Sequence, residues 1–146
     1  MSEDSVLFVC LGNIIRSPLC EGLFRKYTGG KIEVDSAAVT YDDLGQHPHP
    51  LAQRIASEHG FDISGHVSRL ISVHDFSSYK YIVSLEPYVY NRLKKMQPPR
   101  TPAKIVELIP KTTVINPWCG DYKDFRDMFN QINPAMKSFI SMFIQQ

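Results

Sequence analysis

Two residues near the start of the chain, Cys10 and Arg16, have the types and the spacing needed to act on a phosphoryl group. A thiolate is a strong nucleophile, and a guanidinium offers a planar fork that matches two phosphate oxygens. Between them lie Gly12 and Asn13, in a stretch whose backbone amides can point inward and bind an anion. The pattern predicts a phosphate-binding loop whose positive surroundings favour the thiolate form of Cys10.

The elements on either side of this loop are predicted to be a strand and a helix. Residues 5–10 (SVLFVC) form a short apolar run typical of a strand that is buried on both faces. Ser17 and Pro18 favour a helix start, because serine can cap the first amides and proline suits the first helical position. Cys10 and Arg16 could instead be a buried strand-end cysteine and a surface cation. Their place at a strand-loop-helix junction favours the anion site.

The remainder of the chain alternates predicted strands with predicted helices. Such alternation favours an α/β fold with a parallel sheet covered on both sides, and the length suits one domain over residues 1–146. Pro134 is expected to kink the last helix. Further strands are predicted over residues 31–37, 80–85 and 104–108, and further helices over residues 48–59, 87–96 and 122–143.

The composition limits the partners that the protein can have. Sixteen basic and 15 acidic residues nearly cancel, so no long-range field draws the chain to nucleic acid or to an anionic membrane. The first residues lack the pattern of a secretory signal, and no apolar run reaches the ~18 residues of a membrane span. We therefore expect a cytoplasmic protein that binds neither nucleic acid nor membrane. Its three cysteines, Cys10, Cys20 and Cys119, are expected to be free thiols.

The segment VLFVCLGNIIRSP resembles the phosphate-binding loop of the low-molecular-weight protein-tyrosine phosphatases, which usually contains VCLGNICRSP. Four further segments resemble that family's second strand and turn, its following loop, a short connector and its acid loop. The resemblance implies a four-stranded parallel sheet flanked by helices, with the phosphate loop directly after the first strand. The four segments are residues 34–38, 66–69, 75–76 and 116–118.

The resemblance also implies the chemistry. Cys10 would attack phosphorus and become phosphocysteine, and Arg16 with the loop amides would hold the phosphoryl oxygens. Phosphotyrosine proteins or small aryl phosphates would be substrates, and phosphate or other oxyanions would inhibit. No metal or other cofactor is expected, because arginine and amides supply the electrostatics. The amides belong to Leu11, Gly12, Asn13, Ile14, Ile15 and Arg16, and the residues implied to support the loop and the thiolate are Asn13, Ser17, Ser36 and His66.

One departure from the family concerns proton transfer. Asn116 stands where the family has the aspartate that protonates the leaving oxygen, and an amide cannot donate that proton. Such assistance is typically worth about 100- to 10,000-fold in rate, so Asn116 predicts slow turnover. Asp121 and Asp124 could replace it, or could simply be residues of a helix start. A phosphotyrosine-binding pseudophosphatase is therefore an alternative function.

A second departure concerns oxidation. Ile15 replaces a cysteine that commonly protects the nucleophile by forming a reversible disulfide, so Cys10 is expected to be prone to overoxidation. Cys119 could act instead, or could be an isolated thiol. An arsenate reductase would use the same loop, but it needs further cysteines in relay, and Cys20 is expected inside a helix.

The wall of the substrate pocket is predicted from aromatic residues. Tyr41 lies beside the position where the family often has an aromatic side chain, and Asp42 occupies that position itself. Trp118 matches an aromatic position in the acid loop. Aromatic walls would form a deep slot for a phenyl ring, although Tyr41 could equally pack in a solvent-facing loop.

Overall fold

A single parallel sheet of four strands, in the order β2-β1-β3-β4, forms the centre of the molecule. The computed structural model describes residues 4–145 of the chain. The predicted four-stranded parallel sheet is confirmed, and the strand ends differ from the prediction by no more than two residues. The strands are β1 (Ser5–Cys10), β2 (Glu33–Ala38), β3 (Tyr81–Ser84) and β4 (Lys104–Glu107).

Five helices surround the sheet in the part of the chain that is described. The predicted helices are confirmed, and the last one continues through Pro134. The four-residue helix α3 was not predicted, because residues 75–76 were interpreted only as a connector. Within residues 4–145, no helix is long and apolar enough to cross a membrane. The helices are α1 (Arg16–Tyr27), α2 (Pro50–Glu58), α3 (Asp75–Ser78), α4 (Pro87–Met96) and α5 (Tyr122–Phe143).

Apolar side chains cover both faces of the sheet because successive residues of β1 point in opposite directions. Phe8 faces α1, α2 and α5, and its ring makes edge contacts with Phe24 at 5.7 Å and Phe139 at 6.1 Å between centroids. Leu7 and Val9 lie in the other core, which α3 and α4 cover. The prediction of helices on both faces is therefore confirmed.

The strand order places the end of β1 at a natural ligand position. β1 pairs with β2 on one side and with β3 on the other, so the chain reverses its direction of winding at β1. In open α/β sheets, ligands bind outside the carboxyl ends of strands at such a reversal point. Cys10 is the last residue of β1 and therefore lies at this point.

Candidate active site

The cysteine loop, defined here as residues 10–17, places two hydrogen-bond partners next to the Cys10 sulfur. The Asn13 amide donates to Cys10 Sγ at 3.3 Å, and Ser17 Oγ lies 3.0 Å from the same sulfur. The thiol is only 3% exposed. The expected capping role of Ser17 is wrong, since α1 begins at Arg16 without a side-chain cap. The Ser17 hydroxyl, on the second residue of α1, lies instead next to the sulfur.

Asn13 fixes the shape of the loop from its centre. Its backbone is in the left-handed region, with φ +60°, which is unfavourable by about 1–2 kcal/mol for an L-residue. The side chain offsets this strain, because its Nδ2 donates to Ser17 Oγ at 2.7 Å and to Ser36 Oγ at 2.9 Å. Its Oδ1 accepts from the Arg69 amide at 3.1 Å and lies 2.9 Å from His66 Nε2. The four residues predicted to support the loop are thus brought together.

Glu21 is a further member of this network that the sequence analysis did not identify. Ser36 Oγ donates to Glu21 Oε1 at 2.7 Å, and His66 Nδ1 lies 3.4 Å from the same oxygen. Burial lowers the pKa of the His66 imidazole, although the charge of Glu21 acts in the opposite direction. The available signal was the spacing, because Glu21 lies one helical turn after Ser17 and so shares its face of α1.

Arg16 is oriented by Glu86, which the sequence analysis did not identify. Its guanidinium NH1 donates to Glu86 Oε2 at 2.8 Å and to the carbonyl oxygen of Val114 at 3.0 Å. Arg16 is 2% exposed and Glu86 8% exposed, so this ion pair is buried. Removing one member of a buried pair leaves an uncompensated charge, so Glu86 holds Arg16 in place as a positioning residue.

A cavity of about 190 Å³ opens over the Cys10 sulfur. Asn116 and Trp118 lie at its edge, as the resemblance implied. Tyr41 does not contribute to the wall: its side chain is 75% exposed, and Asp42 and Asp43 line the cavity there instead. The lining residues are Cys10, Leu11, Gly12, Ile14, Ile15, Arg16, Thr40, Asp42, Asp43, Asn116 and Trp118.

Gly12 permits the close approach of this acidic wall to the loop. A Cβ atom at position 12 would lie 2.5 Å from Asp43 Oδ2, which is closer than a side chain can approach without a shift. The Asp43 carboxylate therefore packs directly against the cysteine loop. The result is a cavity with both a guanidinium and carboxylates around it.

The segment that contains Asn116 is a turn that leads into α5. Asn116 Oδ1 accepts from the Trp118 amide at 3.3 Å. Asp121 and Asp124 form a reciprocal capping box, in which each carboxylate accepts from the other residue's backbone amide. Both carboxylates are therefore engaged in starting α5, which was one of the two interpretations considered for them. Cys119 is exposed in this turn.

His49 connects this turn to the rest of the site. Its backbone amide donates to the Ile14 carbonyl at 2.8 Å, and its Nδ1 accepts from the Leu51 amide at 3.0 Å, which caps α2. The ring packs 4.8 Å from Phe125 and contacts the edge of Trp118 at 6.3 Å. The sequence gave no sign of this role. Only the cap to Leu51 is local, whereas the contacts with Ile14, Phe125 and Trp118 join segments that are distant in the chain.

The His49 contacts predict that stability depends on pH. Burial lowers the pKa of His49 below its usual 6.5, and a proton on Nδ1 would also break the cap. On acidification the unfolded chain binds the proton first, so the free energy of unfolding should fall as pH drops below about 6.5 and level off above about 7.5. Urea unfolding of this protein and of His49→Asn, which keeps a capping acceptor, checks this. The variant should show a shallower pH dependence, and an unchanged slope would contradict the assignment.

Cys10 at the end of the central strand β1, a loop amide directed at its sulfur and a buried arginine at the start of the next helix are typical of α/β proteins that bind an oxyanion at this position. The chain belongs to the low molecular weight phosphotyrosine protein phosphatase family, whose sequence profile matches residues 5–146. It is 31% identical over 150 residues to the low molecular weight phosphotyrosine protein phosphatase of Saccharomyces cerevisiae, covering 93% of this chain and 92% of that protein. The Gallus gallus protein of the same name is 34% identical over 148 residues, covering 93% of each chain.

The fold agrees with that membership. The crystal structure of YfkJ from Bacillus subtilis superimposes with a TM-score of 0.82 at 28% sequence identity, and the alignment covers 99% of both chains. Near-complete coverage means that the likeness includes the cysteine loop, the sheet and the segment with Asn116. The sequence-based resemblance to this family is therefore confirmed.

Proposed function

We propose that this protein is a tyrosine phosphatase that hydrolyses phosphotyrosine and small aryl phosphates through a phosphocysteine intermediate. The observation that carries the proposal is the position of Cys10 Sγ at the base of a cavity, next to the Asn13 amide and Ser17 Oγ. Family membership supports the same substrate class. Phosphate and other oxyanions would occupy the same loop and inhibit.

In the first step, Cys10 Sγ attacks phosphorus, the S–P bond forms and the P–O bond to the tyrosyl group breaks. The Arg16 guanidinium and the loop amides bind the phosphoryl oxygens. The leaving oxygen takes its proton from solvent, because the Asn116 carboxamide cannot act as a general acid. In the second step, water attacks phosphorus, the S–P bond breaks and inorganic phosphate leaves. The Asn13 amide and the Ser17 hydroxyl stabilise the thiolate that returns.

The test is phosphate release from matched phosphotyrosine and phosphoserine peptides, together with mass spectrometry of rapidly quenched enzyme. We expect hydrolysis of the phosphotyrosine peptide and a mass increase of one phosphoryl group on the peptide that contains Cys10. Equal hydrolysis of both peptides would contradict the substrate class. A phosphoryl group on a residue other than Cys10 would contradict the mechanism.

A second candidate function is binding of phosphotyrosine with almost no hydrolysis. The observation that favours it is the presence of Asn116, which is not an acid, in the lining of the cavity. Binding without release of phosphate at stoichiometric enzyme would identify this case. Arsenate reduction is less well supported, because Cys20 is buried inside α1, where burial and the nearby Cys10 charge raise the pKa of its thiol. A thiol with a raised pKa is a poor relay nucleophile.

The acidic wall of the cavity predicts the sequence around the phosphotyrosine. Asp42 and Asp43 repel acidic side chains and attract basic ones, so peptides with Arg beside the phosphotyrosine should have a higher kcat/KM than peptides with Glu there. Replacing Asp42 with Asn should reduce this preference by about 2- to 5-fold. The exposed Asp127 on α5 provides the matched control, since Asp127→Asn should leave the preference unchanged.

The measurement is kcat/KM for the two peptides at low and at high salt. High salt should reduce the preference of the parent protein, because it screens exposed charges. An equal kcat/KM for both peptides, with phosphotyrosine still hydrolysed, would contradict the role of the acidic wall and leave the proposed reaction intact.

A further inference from the structure

A second cavity, of about 440 Å³, is lined by the outer members of the network that supports the cysteine loop. The reaction proposed above makes no direct use of its side chains. We define the outer cluster as Glu21, Asp35 and His66, each of which offers one ligand atom. The three ligand atoms lie within 4.8 Å of one another. The side chains of Glu21 and His66 are each only 10% exposed.

Hydrogen bonds determine which nitrogen of His66 carries the hydrogen. The amide nitrogen of Asn13 is committed to Ser17 and Ser36, so Asn13 Oδ1 is the atom that faces His66 Nε2. An oxygen at 2.9 Å requires a donor, so Nε2 bears the hydrogen. In the neutral ring, Nδ1 then presents a lone pair.

That lone pair faces another acceptor. His66 Nδ1 lies 3.4 Å from Glu21 Oε1, which already accepts the hydrogen of Ser36 Oγ. When the ring is neutral, a lone pair and a carboxylate oxygen therefore face each other in a mostly buried position, which is unfavourable. Either a proton on Nδ1, which would form an ion pair with Glu21, or another positive charge between the two atoms relieves the repulsion. A cation in the adjoining cavity would remove this repulsion.

The charge of the cavity also suits a cation. Three carboxylates and two guanidiniums line it. Arg69 donates from Nε to Asp35 Oδ2 at 3.0 Å and from its other two nitrogens to the Asp75 carboxylate outside the lining, so its charge is shared between two carboxylates. The surroundings are therefore negative before any ion enters. The lining carboxylates belong to Glu21, Asp35 and Asp62, and the guanidiniums to Arg25 and Arg69.

We propose that the outer cluster binds one divalent transition-metal ion of the zinc type. Imidazole nitrogen and carboxylate oxygen suit such an ion at about 2.0–2.2 Å, and three protein ligands leave one position for water. Because the ligand atoms now lie up to 4.8 Å apart, they move inward on binding. The ion has no part in the chemistry at phosphorus. It fixes the His66 tautomer that donates to Asn13, and so tightens the cysteine loop from behind.

The experiment uses Co²⁺ as a spectroscopic probe and Zn²⁺ as its competitor. Thiolates bind both ions, so the titration is made on the full chain with Cys10→Ser and Cys119→Ser. We expect one equivalent of Co²⁺ to bind with visible d–d absorbance and no thiolate charge-transfer band. Asp35→Asn and His66→Gln should each weaken binding by about 10-fold or more. Asp42→Asn, which removes a carboxylate from the other cavity, should leave affinity unchanged.

Loss of binding in a variant could also result from misfolding, so two further measurements do not depend on loss of binding. Nitrogen-15 NMR of the intact cluster should show Zn²⁺ shifting His66 Nδ1 while the other four histidines stay unchanged. Arg25→Gln, which removes the half-exposed cation that pairs with Glu21 at 2.7 Å, should raise Co²⁺ affinity several-fold. Absence of binding, binding that survives both Asp35→Asn and His66→Gln, or a shift at another histidine instead of His66 would each overturn the proposal.

Discussion

Cys10→Ser should abolish hydrolysis of p-nitrophenyl phosphate and phosphotyrosine while leaving phosphate binding largely intact. A serine hydroxyl is not ionised at neutral pH. Among the described residues, the hydrogen-bond partners of Cys10 Sγ are the Asn13 amide and the Ser17 hydroxyl, and neither is a base that could activate a serine at position 10. Loss of a nucleophile typically lowers the rate by about 10,000-fold or more. The loop shape should survive, since the Asn13 side chain holds it through Ser36 and His66.

The measurement is steady-state turnover of Cys10→Ser, with phosphate or vanadate binding followed by calorimetry. Cys119→Ser is the matched control, because that thiol is exposed on the turn before α5 and should be dispensable for turnover. Parent-like turnover by Cys10→Ser would refute the mechanism. Loss of both turnover and oxyanion binding would show instead that the sulfur is needed to maintain the loop.

The central features of the site could be predicted because they are local in sequence. The strand, the loop and the helix start lie within residues 5–18, so the apolar run, Gly12 and Pro18 identify the anion site without knowledge of the fold. Regular alternation of strands and helices likewise predicted the sheet. The error over Ser17 arose because a helix-start serine usually caps amides, whereas this hydroxyl is bound by Cys10 Sγ and Asn13.

The parts that could not be predicted depend on contacts between distant segments. Glu86 reaches Arg16 across 70 residues, and only the pairing of β1 with β3 brings them together. The wall of the cavity depends on the conformation of the loop after β2, which turns Asp42 and Asp43 inward and Tyr41 outward. A shift of one residue in such a loop changes an aromatic wall into an acidic one.

Asn116→Asp should raise phosphotyrosine turnover by about 100-fold or more and change affinity little. A tyrosyl oxygen has a pKa near 10 and needs a proton to leave, whereas a nitrophenolate is more acidic and departs as the anion. The gain should therefore be large for phosphotyrosine and smaller for p-nitrophenyl phosphate. The exchange is nearly isosteric, and an aspartate can keep the bond that Asn116 Oδ1 accepts from the Trp118 amide. The cysteine loop is left untouched.

The measurement is a series of rates for aryl phosphates of graded leaving-group acidity, taken on the parent protein and on Asn116→Asp. The parent should show a steep dependence on leaving-group pKa, and the Asp variant a shallow one, because a donated proton cancels the charge on the leaving oxygen. Asn116→Ala serves as the control and should resemble the parent, since neither side chain has a proton to give. Equally shallow dependence in all three proteins would mean that another acid, such as Asp121, leaves its capping position during turnover, or that phosphotyrosine is not the substrate.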